Sequence, residues 1–439
     1  MFLCGTQLNV RSIMSVISKA GSGLAIFAAS ALVLSGCAAA ETAEPAAEEA
    51  AEETTESAPV GDLTLKIGTA LPQTGNLAFL GPPEEAGVAL AVADINAAGA
   101  GITVEVEWGD SGDTDNKAYE TEIPRLLNAG VKAILGAASS GTSLQFIDQV
   151  VAADVIQFSP ANTSAAFTTY EDNGLYWRTA PSDVLQGEVL GNWIAEDGHQ
   201  NIAMIVLNDS YGTGLAQFTT EAFEAAGGTV LAAPTYNTGD TNFTSQINEV
   251  LAVDPDAIVL ITFEEIKTIA PELLSQYPAD QIYMVDGNLA NYSADFDAGL
   301  LEGAKGTLPG LDTNAIGDFT TRMNDNWVAE GNADLEGVFA YGAESYDATV
   351  LLALAALAAG NADSGSAIAA KLQEVSGGTG GGTKCTSFAE CAEIINGGGV
   401  ADYDGVSGPI TFNEVGDPTE ASIGKYIYGA DNTYVVYEG

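Results

Sequence analysis

The order of apolar and polar positions along the chain predicts strands and helices in regular alternation. Short apolar runs are followed by stretches whose apolar residues recur three and four positions apart. In the first part of the folded body the predicted strands are 63–70, 102–108, 131–135 and 155–158, and the predicted helices are 82–99, 116–128 and 142–153. Such alternation predicts an α/β fold, with a parallel sheet and helices on both faces.

The same pattern pauses at residues 176–182 and then starts again. The second set of predicted strands is 202–207, 229–234, 257–262 and 282–285, with helices at 214–226, 241–251 and 266–276. The last third is predicted to hold helices 319–330, 338–359 and 367–375, a glycine-rich loop 377–382, and strands 408–412, 424–428 and 434–437. The chain therefore contains two α/β units of similar size, without a sequence repeat between them.

Two turns in the first unit place small hydroxyl residues where a strand gives way to a helix. They are Gly136-Ala137-Ala138-Ser139-Ser140-Gly141-Thr142 and Ser159-Pro160-Ala161-Asn162-Thr163-Ser164. The free N–H groups and positive dipole end of a helix start form an anion site, and two adjacent turns could hold one carboxylate. The alternative is that these serines and threonines are ordinary helix caps.

Loops of the second unit offer acidic and aromatic side chains rather than small hydroxyl residues. In an open α/β sheet, ligands bind outside the carboxyl ends of the strands. Tyr211, Phe263 and Asp286 all follow predicted strands at that edge, together with Glu264 and Glu265. Hydroxyl and N–H groups suit a carboxylate, and acids suit an ammonium. A cleft between the two units would therefore suit an α-amino acid or a related zwitterion.

The N-terminal region reads as a targeting segment followed by a tether. Arg11 and Lys19 precede an apolar stretch, 24–34, that is too short to span a bilayer. It ends in Leu34-Ser35-Gly36-Cys37, which resembles a bacterial lipobox. We expect residues 1–36 to be a lipoprotein signal peptide and Cys37 to carry the lipid. A plain signal peptide or an uncleaved anchor is the alternative, and Met1 or Met14 could be the start.

Composition narrows the function classes. Residues 37–61 are dominated by Ala, Glu and Thr, which predicts an acidic, disordered tether. The 439-residue chain has 60 acidic residues, 13 lysines and arginines and a net charge of -47, so it offers no basic face for nucleic acid. Cys385 and Cys391 could form a disulfide in an oxidising compartment, since a metal site would need more ligands than this pair.

Signatures of catalysis are scarce. The chain has one histidine, His199, in a turn, which leaves little room for a catalytic triad or a histidine-rich metal site. No phosphate-binding P-loop motif occurs. The acidic stretch 110–116 lacks the spacing of a calcium-binding loop and is interpreted as a helix cap. We therefore expect no enzyme activity, no cofactor and no metal.

Several motifs together resemble the solute-binding proteins of ABC transporters for branched-chain amino acids. The matching stretches are Lys66-Ile67-Gly68, residues 89–99, Ser139-Ser140-Gly141, Ser159-Pro160-Ala161, Arg178-Thr179-Ala180-Pro181-Ser182-Asp183, Asp209-Ser210-Tyr211-Gly212 and residues 403–412. This resemblance covers about residues 63–437. It implies the periplasmic binding protein type I fold, in which two Rossmann-like lobes with parallel sheets flanked by helices are joined by three hinge crossings.

The resemblance also implies lobe boundaries. Lobe one would comprise residues 62–180 plus 311–402, and lobe two residues 181–310 plus 403–439. The crossings would lie near 180–182, 307–312 and 402–408. Closure about them would bury the ligand.

Ligand-binding roles follow from the same resemblance. Ser140 and Thr163, with their N–H groups and the carbonyl of Ala161, would hold the ligand carboxylate and part of the ammonium. Asp286 would meet the ammonium, while Tyr211 would cover the ligand. Phe263 would form part of the pocket wall, and Leu80 stands where leucine-binding members often have an aromatic residue.

The sequence thus predicts a monomeric, lipid-anchored protein outside the cytoplasm that delivers an amino acid or similar solute to an ABC permease. A ligand sensor on the same fold, signalling to a membrane receptor, is the alternative. A binder of urea, an amide or an aromatic acid is a second alternative. An amidase is a third, which the missing nucleophile–base pair argues against.

Overall fold

The computed structural model describes residues 62–312 and 315–438. The predictions for the signal peptide, for the lipidation of Cys37 and for the tether lie outside the described residues.

An all-parallel sheet forms the centre of lobe one. Its strands are β1 (Leu63–Ala70), β2 (Ile102–Glu107), β3 (Ala133–Gly136), β4 (Ile156–Ser159) and β5 (Tyr176–Arg178), in the order β2-β1-β3-β4-β5. The helices between them are α1 (Gly81–Ala98), α2 (Tyr119–Ala129) and α3 (Ser140–Ala152). Because β3 and β4 are buried along their whole length, helices must cover both faces of the sheet.

A second parallel sheet forms the centre of lobe two. Its strands are β6 (Asn201–Leu207), β7 (Thr229–Ala232), β8 (Thr235–Tyr236), β9 (Ala257–Ile261), β10 (Ile282–Met284) and β11 (Lys305–Pro309). Its helices are α4 (Asp183–Glu196), α5 (Ser210–Ala225), α6 (Thr244–Ala252) and α7 (Ile266–Leu274). The strand order is β11-β10-β9-β6-β7, and β8 also pairs with β6. The predicted α/β class, with parallel sheets flanked by helices in two lobes, is confirmed.

The last third of the chain contributes helices and strands to both lobes. Helices α8 (Gly317–Ala329), α9 (Gly342–Ala359), α10 (Gly365–Val375) and α11 (Phe388–Asn396) return to lobe one with a small sheet of β12 (Thr383–Cys385), β13 (Ala401–Gly405) and β14 (Gly408–Pro409). Strands β15 (Ile423–Tyr428) and β16 (Tyr434–Val436) extend the sheet of lobe two, with β15 antiparallel to β11. The Sγ atoms of Cys385 and Cys391 are 2.09 Å apart, at disulfide distance.

Helix α9 is the core helix of lobe one. It packs against α1 and α10. Among the described helices, it alone is long and apolar enough to cross a membrane, but 89% of that stretch is buried inside the protein. Its apolar character is therefore explained by its position in the core.

The return of the chain to lobe two comes later than predicted. Tyr403, Ile410 and Phe412 belong to the hydrophobic core of lobe one, although the predicted boundary put them in lobe two. The ring of Phe412 packs edge-on against Phe158 and Trp177, with centroids 5.9 and 5.1 Å apart. Burial of these aromatic side chains holds the segment on lobe one until shortly before β15.

Helices α9 and α2 begin later than predicted, as does α6, which starts at Thr244 rather than at residue 241. Helix α9 starts at Gly342 rather than at residue 338, because Tyr341 has a left-handed backbone with φ of 59°. Helix α2 starts at Tyr119 rather than at residue 116. There the side chains of Asp113 and Asn116 accept backbone N–H groups and form a separate turn.

A buried acid in the first turn of α9 makes stability depend on pH. Burial raises the pKa of Glu344 to about 8, from an ordinary value of 4.5. The folded state thus keeps a proton that the unfolded state releases, so this contribution to stability is complete below about pH 4.5 and is lost as the pH rises to about 8.

We expect the unfolding free energy of Glu344→Gln, relative to that of the wild type, to be higher at pH 8 than at pH 5, because glutamine does not ionise. The gain in unfolding free energy between the two pH values should be roughly 2–4 kcal/mol, measured by urea denaturation. Glu302→Gln, at an exposed site on lobe two, is the matched control and should show no such difference. An equal effect of Glu344→Gln at both pH values would contradict the assignment.

Candidate functional site

The two serines of the turn after β3 accept hydrogen bonds from different parts of the chain. The Oγ of Ser139 accepts the N–H of Thr142 at 3.2 Å, so Ser139 is the N-cap of α3. Ser140 is the first residue of the helix, and its Oγ accepts the N–H of Ser164 from the neighbouring turn at 3.2 Å. The two turns are therefore in direct contact.

Asn162 joins the two turns more firmly. Its Nδ2 donates to the carbonyl oxygens of Ala137 and Ala138 at 2.9 and 2.8 Å, and its Oδ1 accepts the hydroxyl of Tyr176 at 3.0 Å. The Oγ of Ser159 also donates to the carbonyl of Ala137, at 2.7 Å. All these groups are buried, so the turns form one rigid unit.

This unit presents unused donors. The N–H groups of Ser140 and Thr163 donate to no acceptor among the described residues. The first of them lies at the N-terminus of the 13-residue helix α3, where the helix dipole is positive. These groups are suited to bind a carboxylate.

Asp286 lies on the opposite wall, in lobe two. Its Oδ1 accepts the hydroxyl of Tyr211 at 2.8 Å and the Nε2 of Gln186 at 2.9 Å. Its Oδ2 accepts the hydroxyl of Tyr341, from lobe one, at 2.8 Å. Burial raises the pKa of the Asp286 carboxyl, and these three hydrogen bonds counteract that shift.

One narrow cavity brings the predicted residues together. Its volume is about 10 Å³, which is room for about one water molecule. The cavity is lined by Leu77, Leu80, Ala138, Ser139, Ser140, Ala161, Thr163, Tyr211, Phe263, Asp286, Gly287 and Tyr341. All seven residues predicted to bind ligand are in this set. The donors of the two turns thus face Asp286 across a small, partly apolar space.

A sequence profile of periplasmic binding proteins matches residues 64–404. The chain belongs to the periplasmic binding protein family. It is 31% identical over 189 residues to the leucine-, isoleucine-, valine-, threonine-, and alanine-binding protein of Pseudomonas aeruginosa, covering 42% of this chain and 50% of that protein. It is 24% identical over 293 residues to a chemotactic signal transduction system substrate-binding protein of Halobacterium salinarum, covering 65% of this chain and 67% of that protein. The match thus spans about half the length of the Pseudomonas aeruginosa protein.

Solved structures show the same fold for this periplasmic binding protein. A leucine-binding protein from Thermotoga maritima aligns with a TM-score of 0.69 and 21% identity, over 85% of this chain and 97% of the other. A branched-chain amino acid transporter substrate-binding protein from Streptococcus pneumoniae, in complex with isoleucine, aligns with a TM-score of 0.67 and 22% identity, over 85% and 99%. The relatives and solved structures named here are solute-binding proteins.

Tyr341, Gln186 and Leu77 were not predicted as site residues. Tyr341 was placed inside a helix by its apolar surroundings, whereas it is the N-cap of α9 and lines the cavity. Gln186 lies in α4, does not line the cavity, and donates its Nε2 to Oδ1 of Asp286. No helix was predicted over residues 183–196, so the sequence pattern did not assign Gln186 to a buried face.

The described lobes of this binding protein are closed on each other. The Nδ2 of Asn76 in lobe one donates to Oε1 of Glu265 in lobe two at 2.6 Å. The Oγ of Ser164 donates to the carbonyl of Ser210 across the same cleft at 3.0 Å. Both bonds join residues of different lobes, so they can exist only when the cleft is shut.

Other sequence candidates lie outside this cavity. Asp110 and Asp113 accept backbone N–H groups of their own loop and of residues 73–76. No group of three or more His, Cys, Asp or Glu side chains that could hold a metal ion occurs in the described part of the chain. His199 packs edge-on against the ring of Tyr283 in lobe two, with centroids 5.8 Å apart.

The hydrogen bond between Tyr341 and Asp286 predicts a role in closure. We expect Tyr341→Phe to weaken ligand binding about tenfold or more, mainly through faster dissociation, because the bond to the carboxylate spans the two lobes. Stopped-flow fluorescence or surface plasmon resonance would measure the rates.

Tyr403→Phe is the matched control for that variant. The hydroxyl of Tyr403 donates to buried Asp347 at 2.6 Å, and both residues lie in lobe one. This variant should lose stability without changing the dissociation rate. Equal dissociation rates for Tyr341→Phe and the wild type would refute the closure role.

Proposed function

We propose that this chain is a solute-binding protein outside the cytoplasm that captures an amino acid or a related small zwitterion and delivers it to an ABC importer. The observation that carries the proposal is the polarity of the cavity. Ser140 and Thr163, with unused N–H groups, line it from lobe one, and Asp286 lines it from lobe two. A zwitterion has the complementary carboxylate and ammonium.

The ligand side chain is proposed to be aliphatic. Leu77, Leu80 and Phe263 line the cavity beside the charged ends, and a hydrocarbon group gains free energy when such surfaces bury it. The Pseudomonas aeruginosa relative is named for leucine, isoleucine, valine, threonine and alanine, and the Streptococcus pneumoniae structure holds isoleucine. Because the closed cavity is so small, the lobes must open or shift to admit any of these molecules.

Aromatic acids and urea fit the same site less well. A solute-binding protein from Rhodopseudomonas palustris, of the same fold, has been solved with benzoate. Benzoate and urea lack an ammonium group, so neither would offer a positive charge to Asp286. The buried carboxylate therefore favours an amino acid over both.

A sensor is the second candidate. It is favoured by the Halobacterium salinarum relative, which is named as part of a chemotactic signal transduction system. A sensor and a transport protein would bind the ligand with the same residues and differ in the membrane partner. Uptake of labelled ligand by cells with and without the gene separates the two, since loss of uptake supports transport.

A thermal-shift screen over amino acids, amides, urea and aromatic acids tests the ligand class. A ligand that binds only the folded state raises the melting temperature. We expect aliphatic amino acids to give the largest shifts, and benzoate and urea to give none. A shift with benzoate or urea alone would contradict the proposal.

The double variant Ser140→Ala and Thr163→Ala tests the carboxylate end. Loss of two hydroxyl groups should weaken binding by roughly 2–4 kcal/mol in calorimetry, at about 1–2 kcal/mol per charge-assisted hydrogen bond. Ser376→Ala, which removes a buried hydroxyl of lobe one away from the cavity, is the control and should bind normally. Unchanged affinity in the double variant would remove these hydroxyls from the site.

The lipid anchor is proposed from the sequence Leu34-Ser35-Gly36-Cys37. The pairing of Cys385 with Cys391 supports an oxidising compartment. Mass spectrometry of the mature protein should find Cys37 as the N-terminal residue with a diacylglycerol group. An unmodified N-terminus far from Cys37 would exclude the anchor.

A further inference from the structure

Arg178 is an exception in this acidic protein. The chain has 13 lysines and arginines, and among the described ones Arg178 alone is buried. It ends β5, next to the turn Ser159–Ser164. Its Nη1 donates to the carbonyl oxygens of Asn162 and Ser164, at 3.2 and 2.8 Å. The guanidinium group therefore binds carbonyl groups of a turn that also lines the cavity, through Ala161 and Thr163.

Peptide geometry makes this contact relevant to the ligand. In a trans peptide the C=O and the following N–H point in opposite directions. Because the carbonyl of Asn162 points to Arg178, the N–H of Thr163 must point away from the guanidinium. Thr163 lines the cavity, and its N–H is one of the unused donors. The orientation of that donor thus depends on Arg178.

Asp417 holds the guanidinium in turn. Its Oδ1 accepts the Nε of Arg178 at 2.6 Å, and its Oδ2 accepts the hydroxyl of Thr168 at 2.7 Å. The backbone N–H of Arg178 also donates to the carbonyl of Gly416 at 3.2 Å. Residues 416 and 417 lie in the segment that follows Phe412 and precedes β15, where the chain returns to lobe two.

We propose that Arg178 and Asp417 form a positioning pair that holds the turn Ser159–Ser164 in its ligand-binding orientation. The pair also ties this turn to the segment through which the chain enters lobe two for the last time. Neither residue lines the cavity, so both act through the turn rather than by touching the ligand. The positioning role concerns the turn itself, and only its effect on affinity rests on the proposed function.

Hydrogen exchange of the ligand-free protein tests the positioning role without any ligand. Asp417→Asn keeps the shape of the side chain and removes its charge. We expect amides in a peptide covering residues 159–168 to exchange several-fold faster in this variant, because the turn loses a fixed support. Arg178→Lys should have the same effect, since one ammonium group cannot reproduce the planar fork.

Asp347→Asn is the matched control for hydrogen exchange. Asp347 is another buried carboxylate of lobe one, and it accepts hydrogen bonds from Tyr403, Val406 and Ser407. This variant should lower the melting temperature without changing exchange at residues 159–168. Thr168→Val, a milder change in the proposed network, should accelerate exchange to a smaller extent. Unchanged exchange in both Asp417→Asn and Arg178→Lys, or equal acceleration in Asp347→Asn, would overturn the positioning role.

Affinity provides the second readout, with the amino acid that gives the largest thermal shift as the probe. We expect Asp417→Asn and Arg178→Lys to bind it about tenfold or more weakly, and Asp347→Asn to bind it within about twofold of the wild type. Faster exchange with unchanged affinity would show that the pair orders the turn without contributing to ligand binding, and would overturn its role in binding. If no amino acid binds the wild type, the proposed function fails while the exchange result still decides the positioning role.

Discussion

The chain buries carboxyl groups with very few cations to neutralise them, and this constraint governs both the core and the cleft. With 60 acidic residues against 13 lysines and arginines, ion pairing can serve only a small share of the acids. Asp286 is instead held by two tyrosine hydroxyls and an amide. Glu344 is buried with its pKa raised to about 8, so it holds a proton at neutral pH. The acid proposed to meet the ligand ammonium is thus held by neutral hydrogen-bond donors rather than by a cation.

The scarcity of cations is also reflected in the hydrogen bonds between the two lobes. The contacts that cross the cleft include Tyr341 to Asp286, Asn76 to Glu265 and Ser164 to the carbonyl of Ser210. In each, a neutral group donates to an oxygen. Such bonds contribute modestly to stability, because water can replace them when the cleft opens. A weakly held closed form is what a protein needs if it must both capture and release its ligand.

Much of the fold and site could be predicted from sequence because both depend on local patterns. Strand–helix alternation locates the carboxyl ends of the strands, and loops such as those of Ser140, Thr163 and Asp286 meet there. Tyr341 was missed because the apolar pattern predicts a helix from residue 338, whereas the left-handed backbone of Tyr341 delays the helix start to Gly342. The resemblance implied a last crossing near 402–408, and the apolar pattern of residues 403–412 could not correct it, because that pattern is the same whichever lobe buries them. Long-range contacts decide such questions, and the sequence of one chain does not display them.

For a chain exported in the unfolded state, helix α9 has a further consequence. Its 18 residues have the length and mean hydropathy of a membrane span. A segment of this kind can leave the translocation channel sideways and remain in the lipid. Glu344 and Asp347, in the first two turns of the helix, oppose that outcome, because an acidic side chain in a spanning helix costs free energy, up to about 2.5–3.5 kcal/mol at the bilayer centre. The two acids that are costly to bury in the folded lobe would thus favour complete passage of the unfolded chain across the membrane.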